Sequence, residues 1–228
     1  DSEPNTWNMS PELLEKAITD RKEKTGHYPK AIVMVHLYGM PAKMDEILDI
    51  SSRYGIPIIE DAAEALGSEY KSRRCGTFGQ FGILSFNGNK IITTSGGGAL
   101  VCKNREQANQ TLFLATQARE SRPYYHQEKT GYTYRLSNIC AGIGRGQMHV
   151  LPEFLVRRRE VHAIYTELLS NVNGLTVIQN PNEAHNSNFW LTCITIGDNR
   201  TGITADMLRL RLEQANIESR LLWKPLHR

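Results

Sequence analysis

Two short apolar runs, Ala31–His36 (AIVMVH) and Ile56–Glu60 (IPIIE), flank a segment of helical period, Met44–Tyr54, and this alternation restricts the fold more than any other feature of the chain. Apolar runs without polar alternation read as strands covered on both faces. A strand, a helix and a second strand in that order require parallel pairing, with the helix as crossover. The expectation is an α/β domain of doubly wound type. A third run, Ile83–Phe86, extends the pattern, and from there to Val101 helices give way to short strands and glycine turns.

Other elements follow from local signals. Met9–Arg21 reads as a helix capped by Ser10, with Pro11 in its first turn and Leu13, Leu14, Ala17 and Ile18 at helical spacing. The second helix stops at Gly55, and Ala62–Leu66 opens a short one. A helix from Arg105 to about Ala118 precedes a polar, aromatic stretch of no clear period, RESRPYYHQEKTGYTYRLSN; loops of that length inside compact domains are functional or disordered. Ile139–Val150 is rich in small residues, and Pro152–Asn171 reads as a long charged helix. The expected domain boundary lies near Val150–Arg157, dividing the chain into residues 1–150 and 151–228. Leu175–Ile178, Phe189–Ile196 and a helix over Ala205–Ala215 then form a small α+β unit.

With 27 basic and 24 acidic residues among 228, the net charge of +3 is not gathered into a block, which argues against nucleic-acid or membrane-surface partners. No run reaches the length of a spanning helix, and the opening DSEPNTWNMS has no signal-peptide pattern. Cys75, Cys102, Cys140 and Cys193 are widely spaced and read as reduced core thiols of a cytoplasmic protein, with no metal site.

The candidate chemistry sits between Ile56 and Gly98. Asp61 ends one buried strand and Lys90 follows another, so both can reach one edge of a sheet, where open α/β sheets bind ligands. A lysine there can hold a carbonyl cofactor while a carboxylate tunes its ring. Each residue also has a plainer reading. Asp61 can cap a helix, and Lys90, on an expected strained turn, can be an exposed hairpin lysine. Ser85 can bond a phosphate oxygen or only its own backbone, and Gly96–Gly98 needs no ligand. His36 and His227 read as structural, while Tyr38, Tyr124, Tyr125, Tyr132 and Tyr134 suit ring stacking or an interface equally.

Taken together, VHLYGMPAKMDEI, IPIIEDAAEALGS, GTFGQFGILSFNGNKIITTSGGGALV, GYTYRLSNICAGIGRGQM and ESRLLWKPLH resemble the DegT/StrS-type family of pyridoxal-phosphate-dependent sugar aminotransferases. The resemblance runs from about Thr6 onward. It implies an α/β, three-layer aspartate aminotransferase-like large domain and a small α+β C-terminal domain, both partial, with active sites at a homodimer interface. It implies pyridoxal 5'-phosphate bound to Lys90 as a Schiff base, Asp61 on the pyridine nitrogen, Glu64 near the ring hydroxyl where relatives often carry Gln, and Ser85 on the phosphate. Asn138 and the Gly131–Arg135 region would reach the neighbouring subunit's cofactor or substrate, with Tyr134, Arg135, Lys224 and His227 on the substrate. Thr133 stands where relatives commonly have Asn, and Ser95-Gly96 where they have Gly-Glu.

The resemblance further implies amino transfer from glutamate to a nucleotide-linked keto sugar, such as a UDP-4-keto-6-deoxy-2-acetamido hexose, in glycan precursor synthesis. A lysine at position 90 argues against the dehydratase branch, where histidine replaces it. The expectation is also that the chain is cut at both ends and lacks the family's phosphate-binding loop, so that it binds the cofactor weakly or not at all by itself. Two other readings stay open: a non-catalytic nucleotide-sugar-binding or dimerising module of the same fold, and another lysine-linked pyridoxal enzyme acting on amino acids.

Overall fold

The computed structural model describes residues 1–197 and 202–224. Helix α1 (Pro11–Thr25) is followed by strand β1 (Ile32–Val35), helix α2 (Met44–Tyr54) and strand β2 (Ile58–Asp61). Short strands β3 (Glu69–Tyr70) and β4 (Arg73–Arg74) lead to β5 (Phe81–Ser85), β6 (Gly98–Cys102) and helix α3 (Arg105–Ala115). A 32-residue helix, α4 (Asn138–Leu169), precedes β7 (Leu175–Val177), β8 (His185–Asn186), β9 (Ile194–Ile196) and α5 (Ala205–Gln214).

The chain divides into two compact units. One comprises Asp1–Arg159 with Asn180–Leu191, the other Glu160–Gln179 with Thr192–Arg228.

In the first unit the main sheet has the order β1-β2-β5-β6. The first three strands are parallel and β6 returns antiparallel to β5. One face is a packed core: Ile32, Met34 and Ile58 of the sheet meet Leu14 and Ile18 of α1 and Met44, Ile47 and Ile50 of α2. Side chains of this size each contribute about 1.5–3 kcal/mol on burial. Local signals set both helices. Ser10 accepts a bond from the Leu13 N–H at the start of α1, and Gly55 ends α2 at φ +65°, a backbone region open to glycine without steric cost.

The other face of the sheet departs from expectation. Cross-strand register puts Val35, Asp61, Ile83 and Leu100 in one row, and Val33, Val35, Ile83 and Leu100 are all exposed. The strand over Ala31–His36 is thus covered on one face, not two, because α1 and α2 pack on the same side.

Three more segments differ. Ala62–Leu66 is a series of turns: Ala65 N–H bonds the Ala62 carbonyl, and Asn188 takes the carbonyls of Glu64 and Leu66 that would continue a helix. Helix α4 begins at Asn138 instead of Pro152 and runs through that proline. Packing against α4 compensates the missing N–H, since Leu151 and Leu155 cluster with Ile91 and Ile92. Phe189–Leu191 is not strand; Phe189 has φ +45° and the segment belongs with the first unit.

Two short sheets complete the fold. In the first unit β3 pairs with both β4 and β8, all antiparallel. In the second, β7 and β9 pair antiparallel from Leu175↔Ile196 to Val177↔Ile194. Among the described residues no helix is long and apolar enough to cross a membrane. Of the four cysteines only Cys75 is buried, so the expectation of core positions fails for Cys102, Cys140 and Cys193.

Candidate functional site

The carboxyl ends of β2 and β5 converge on one edge of the main sheet. There the chain leaves β2 through Asp61-Ala62-Ala63-Glu64 and leaves β5 through Phe86–Lys90. The turn before Lys90 closes by a bond from its N–H to the Asn87 carbonyl, 3.0 Å. Asn87, Asn89 and Lys90 carry no left-handed φ; the left-handed residues of this region are Ser95 and Gly97. The strained turn expected at Lys90 therefore lies five residues further on.

Lys90 is not an exposed hairpin lysine. Its side chain is 13% exposed, and its Nζ stands 3.4 Å from Glu64 Oε1. The Glu64 Oε2 accepts the Tyr38 N–H at 2.7 Å. Burial pushes the Glu64 carboxyl above its ordinary range, and Asp61 adds to this, while the Tyr38 N–H and Lys90 work against it. Asp61 caps no helix: its Oδ1 accepts the Ala63 N–H two residues on, at 3.1 Å, which closes a local turn. The Ser85 hydroxyl, on the same sheet face as Asp61, accepts from the Asn87 N–H at 3.4 Å and keeps its own proton to donate.

The pair Glu60-Asp61 is split by the pleat. Glu60 faces the core, fully buried, where its carboxylate meets His36 Nε2 at 3.0 Å and the N–H groups of Gly76 and Gly79 at 2.7 and 2.5 Å. Burial alone would raise its pKa, but the bonds from His36, Gly79 and Gly76 hold it below the ordinary carboxylate range. The Ala42 N–H donates to His36 Nδ1, so the ring proton sits on Nε2 and points at Glu60. His36 is structural here, anchoring the loop that carries Tyr38.

The remaining candidates lie elsewhere. Tyr134 and Arg135 are on the segment before α4, where Tyr134 is exposed and stacked on Tyr132 at 4.9 Å between centroids. Asn138 is exposed at the first residue of α4. The glycine run bears on this segment: Gly97 has φ +85°, which suits glycine, and a Cβ there would stand 2.4 Å from a Leu136 methyl, which would have to move. The start of α4 runs over the paired threonines, with the Thr93 N–H bonded to Gln147 Oε1 at 3.1 Å. Lys224 is exposed in the second unit, and His227 falls outside the described residues.

Sequence reasoning missed two residues that touch this cluster. Trp190 places its ring 4.3 Å from Lys90 Nζ, and the fully buried Asn188 ties down the Glu64 turn. Both come from about 100 residues downstream, and no local period marks them. A lone Trp within the polar run Asn180–Trp190, with its several Asn residues, is the only signal the sequence offers.

The sequence profile of the DegT/DnrJ/EryC1/StrS aminotransferase family matches residues 1–228. EpsN of Bacillus subtilis (strain 168), named provisionally as a pyridoxal phosphate-dependent aminotransferase, is 50% identical over 228 residues, which are 100% of this chain and 57% of the relative. GDP-perosamine synthase of Escherichia coli O157:H7 is 35% identical over 227 residues, covering 100% of this chain and 59% of that one. Among solved structures, the aminotransferase TlmJ from Streptoalloteichus hindustanus superposes with a TM-score of 0.87 at 29% identity, over 100% of this chain and 59% of its own. This chain thus spans 57–59% of the length of these proteins.

Proposed function

This chain belongs to the DegT/DnrJ/EryC1/StrS aminotransferase family, and from that premise we propose that it works as a pyridoxal 5'-phosphate-dependent aminotransferase, moving an amino group from glutamate to the keto carbon of a nucleotide-linked sugar. The observation that carries this reading is the lysine amine withdrawn from solvent against Glu64, at the edge where Asp61 and Ser85 also stand. The donor set fits the cofactor: an amine for its aldehyde, a carboxylate for its ring nitrogen and a hydroxyl for its phosphate. Once bound, such a ring serves as an electron sink for the carbon that loses or gains the nitrogen.

The chain's own residues divide the work. Lys90 Nζ would hold the aldehyde and then carry a proton to and from the carbon bearing the nitrogen. The Asp61 carboxylate would keep the ring nitrogen protonated, and the Ser85 hydroxyl would hold phosphate. Glu64, bonded to both Tyr38 N–H and Lys90, would sit beside the ring hydroxyl. Tyr134, Arg135 and Asn138, at and just before the start of α4, suit a role toward the second copy of a homodimer, and Lys224 and His227 one toward the sugar nucleotide. Overall the amino group and the keto oxygen change places, so glutamate leaves as 2-oxoglutarate and no external oxidant enters.

The sugar is a 4-keto-6-deoxy hexose in this reading. The stretch TQARESRPYYHQEKTGYTYRLSNICAGIG favours a UDP-linked 2-acetamido substrate, and the similarity to a GDP-perosamine synthase favours a GDP-linked one. The test begins with the cofactor. Pyridoxal 5'-phosphate, added in enough excess to populate weak binding, should give a visible band that borohydride abolishes, leaving a reduced adduct on the Lys90 peptide by mass spectrometry and none in Lys90→Ala. Labelled nitrogen should then pass from glutamate to the UDP or GDP 4-keto sugar. A chain that binds the sugar nucleotide without labelling at Lys90 is the non-catalytic module, and transfer only among free amino acids would reject the sugar substrate.

A further inference from the structure

The Lys90 ammonium has two neighbours. They are the Glu64 carboxylate, 3.4 Å away, and the face of the Trp190 ring, 4.3 Å from Nζ to centroid. Trp190 is 3% exposed. Its indole Nε1–H donates to the carbonyl of Asn89, the residue just before the lysine, at 2.8 Å. One side chain thus touches both the reactive end of Lys90 and the backbone from which that side chain departs.

Trp190 is itself held in place. Its N–H donates to Asn188 Oδ1 at 2.9 Å, and the Asn188 amide donates to the carbonyls of Glu64 and Leu66 at 2.8 and 3.0 Å. The Asn188 N–H donates to Ser68 Oγ, and the Ser187 hydroxyl donates to the Gly39 carbonyl. A Cβ on Gly39 would stand 1.9 Å from Asn188 Oδ1, so the segment passes with no room to spare. The same short stretch therefore fixes both the acid and the aromatic face that the amine meets. A four-carbon side chain loses rotamer freedom in such a seat, and an indole face attracts an ammonium most strongly where water is excluded.

We propose that Trp190 is a positioning residue for Lys90, aiming its amine through the face of an aromatic ring that the bond to the Asn89 carbonyl helps to hold in place. The proposal rests on reading Lys90 as the reactive amine. Two measurements on the cofactor-free full chain test it. In the first, the chain is labelled with 5-fluorotryptophan; it has three tryptophans, Trp7, Trp190 and Trp223. Lys90→Met should move the Trp190 fluorine resonance, assigned by its loss in Trp190→Phe, and leave those of Trp7 and Trp223 unmoved. In the second, the rate of reductive methylation at Lys90 is read by mass spectrometry relative to the exposed Lys103 of the same molecule. Trp190→Leu should raise that ratio about fivefold by freeing the amine, and Trp190→Phe, which keeps an aromatic face, should stay within about twofold.

A role in bulk packing alone would raise the ratio in Trp190→Phe as much as in Trp190→Leu; that outcome, or equal ratios in the three proteins, overturns the proposal. If Trp190→Leu does not fold, the fluorine shift decides, because Lys90→Met removes no core side chain; an unmoved Trp190 resonance overturns it. Neither measurement needs the cofactor. Failure of pyridoxal labelling with the tryptophan contact intact therefore counts against the aminotransferase reading alone, and an unmoved resonance with labelling intact counts against the role of Trp190 alone.

Discussion

Side by side on β2, Glu60 and Asp61 carry the same chemical group into different surroundings. Asp61 stays at the open face and closes a turn, whereas Glu60 is enclosed with three donors aimed at it. Charge-assisted bonds of this kind contribute about 1.5–3 kcal/mol each when both partners are buried. Because its folded pKa lies below the ordinary 4.5, Glu60 adds stability that is full above the unfolded value and is lost as pH falls through the folded one. Glu3, also depressed, acts with the same sign; Glu64, raised by burial, acts with the opposite sign, its cost growing as pH rises above 4.5. Comparing Glu60→Gln with the parent isolates the first effect. The expected loss is about 2 kcal/mol at pH 7 by urea unfolding, shrinking steadily below pH 4.5. A difference that stays constant with pH would mean the carboxylate is not the group being stabilised.

At the scale of elements, the helices whose ends can be read from sequence are those with chemical punctuation. Ser10 and Pro11 start α1 and Gly55 ends α2, and each acts through its nearest neighbours. Helix α4 shows the limit of that reasoning. Pro152 looks like a first-turn proline, yet the helix continues for 14 residues before it, from Asn138, because tertiary contacts hold both sides. Leu155 is central to this: its methyls would stand 2.6 Å from a Cβ on Gly67, which has φ +85°. Leu155→Ala should therefore cost about 2–4 kcal/mol in urea or thermal unfolding, as buried Leu deletions do. A loss under about 0.5 kcal/mol, typical of surface changes, would show that α4 does not depend on this packing.

On the scale of the whole molecule, the main sheet is two-sided in character. One face is a dense core; the other shows Val33, 55% exposed, and Leu100, 41% exposed, with Val35 and Ile83 between them. Exposed apolar surface of this kind, here interrupted by Asp61 between Val35 and Ile83, promotes association and dye binding. The double change Val33→Thr with Leu100→Thr should lower the fluorescence of a hydrophobic dye and reduce light scattering at equal concentration. It should shift unfolding free energy by no more than about 0.5 kcal/mol, since both side chains are surface-exposed. A large loss of stability would mean that this face is covered in solution.

What could be read along the chain was whatever depends on near neighbours: the strand-helix-strand alternation, the caps, the direction of pairing that short crossovers impose, and the acid and lysine left at adjoining strand ends. Side-chain period could not tell a strand covered twice from one covered once, because β1 is apolar on both faces while α1 and α2 lie on one side. Nor could it find Asn188 and Trp190, whose importance comes from a contact across about 100 residues of chain. Such contacts are set by how the segment Asn180–Leu191 folds back onto the first unit, and that is decided by packing and hydrogen-bond satisfaction in three dimensions.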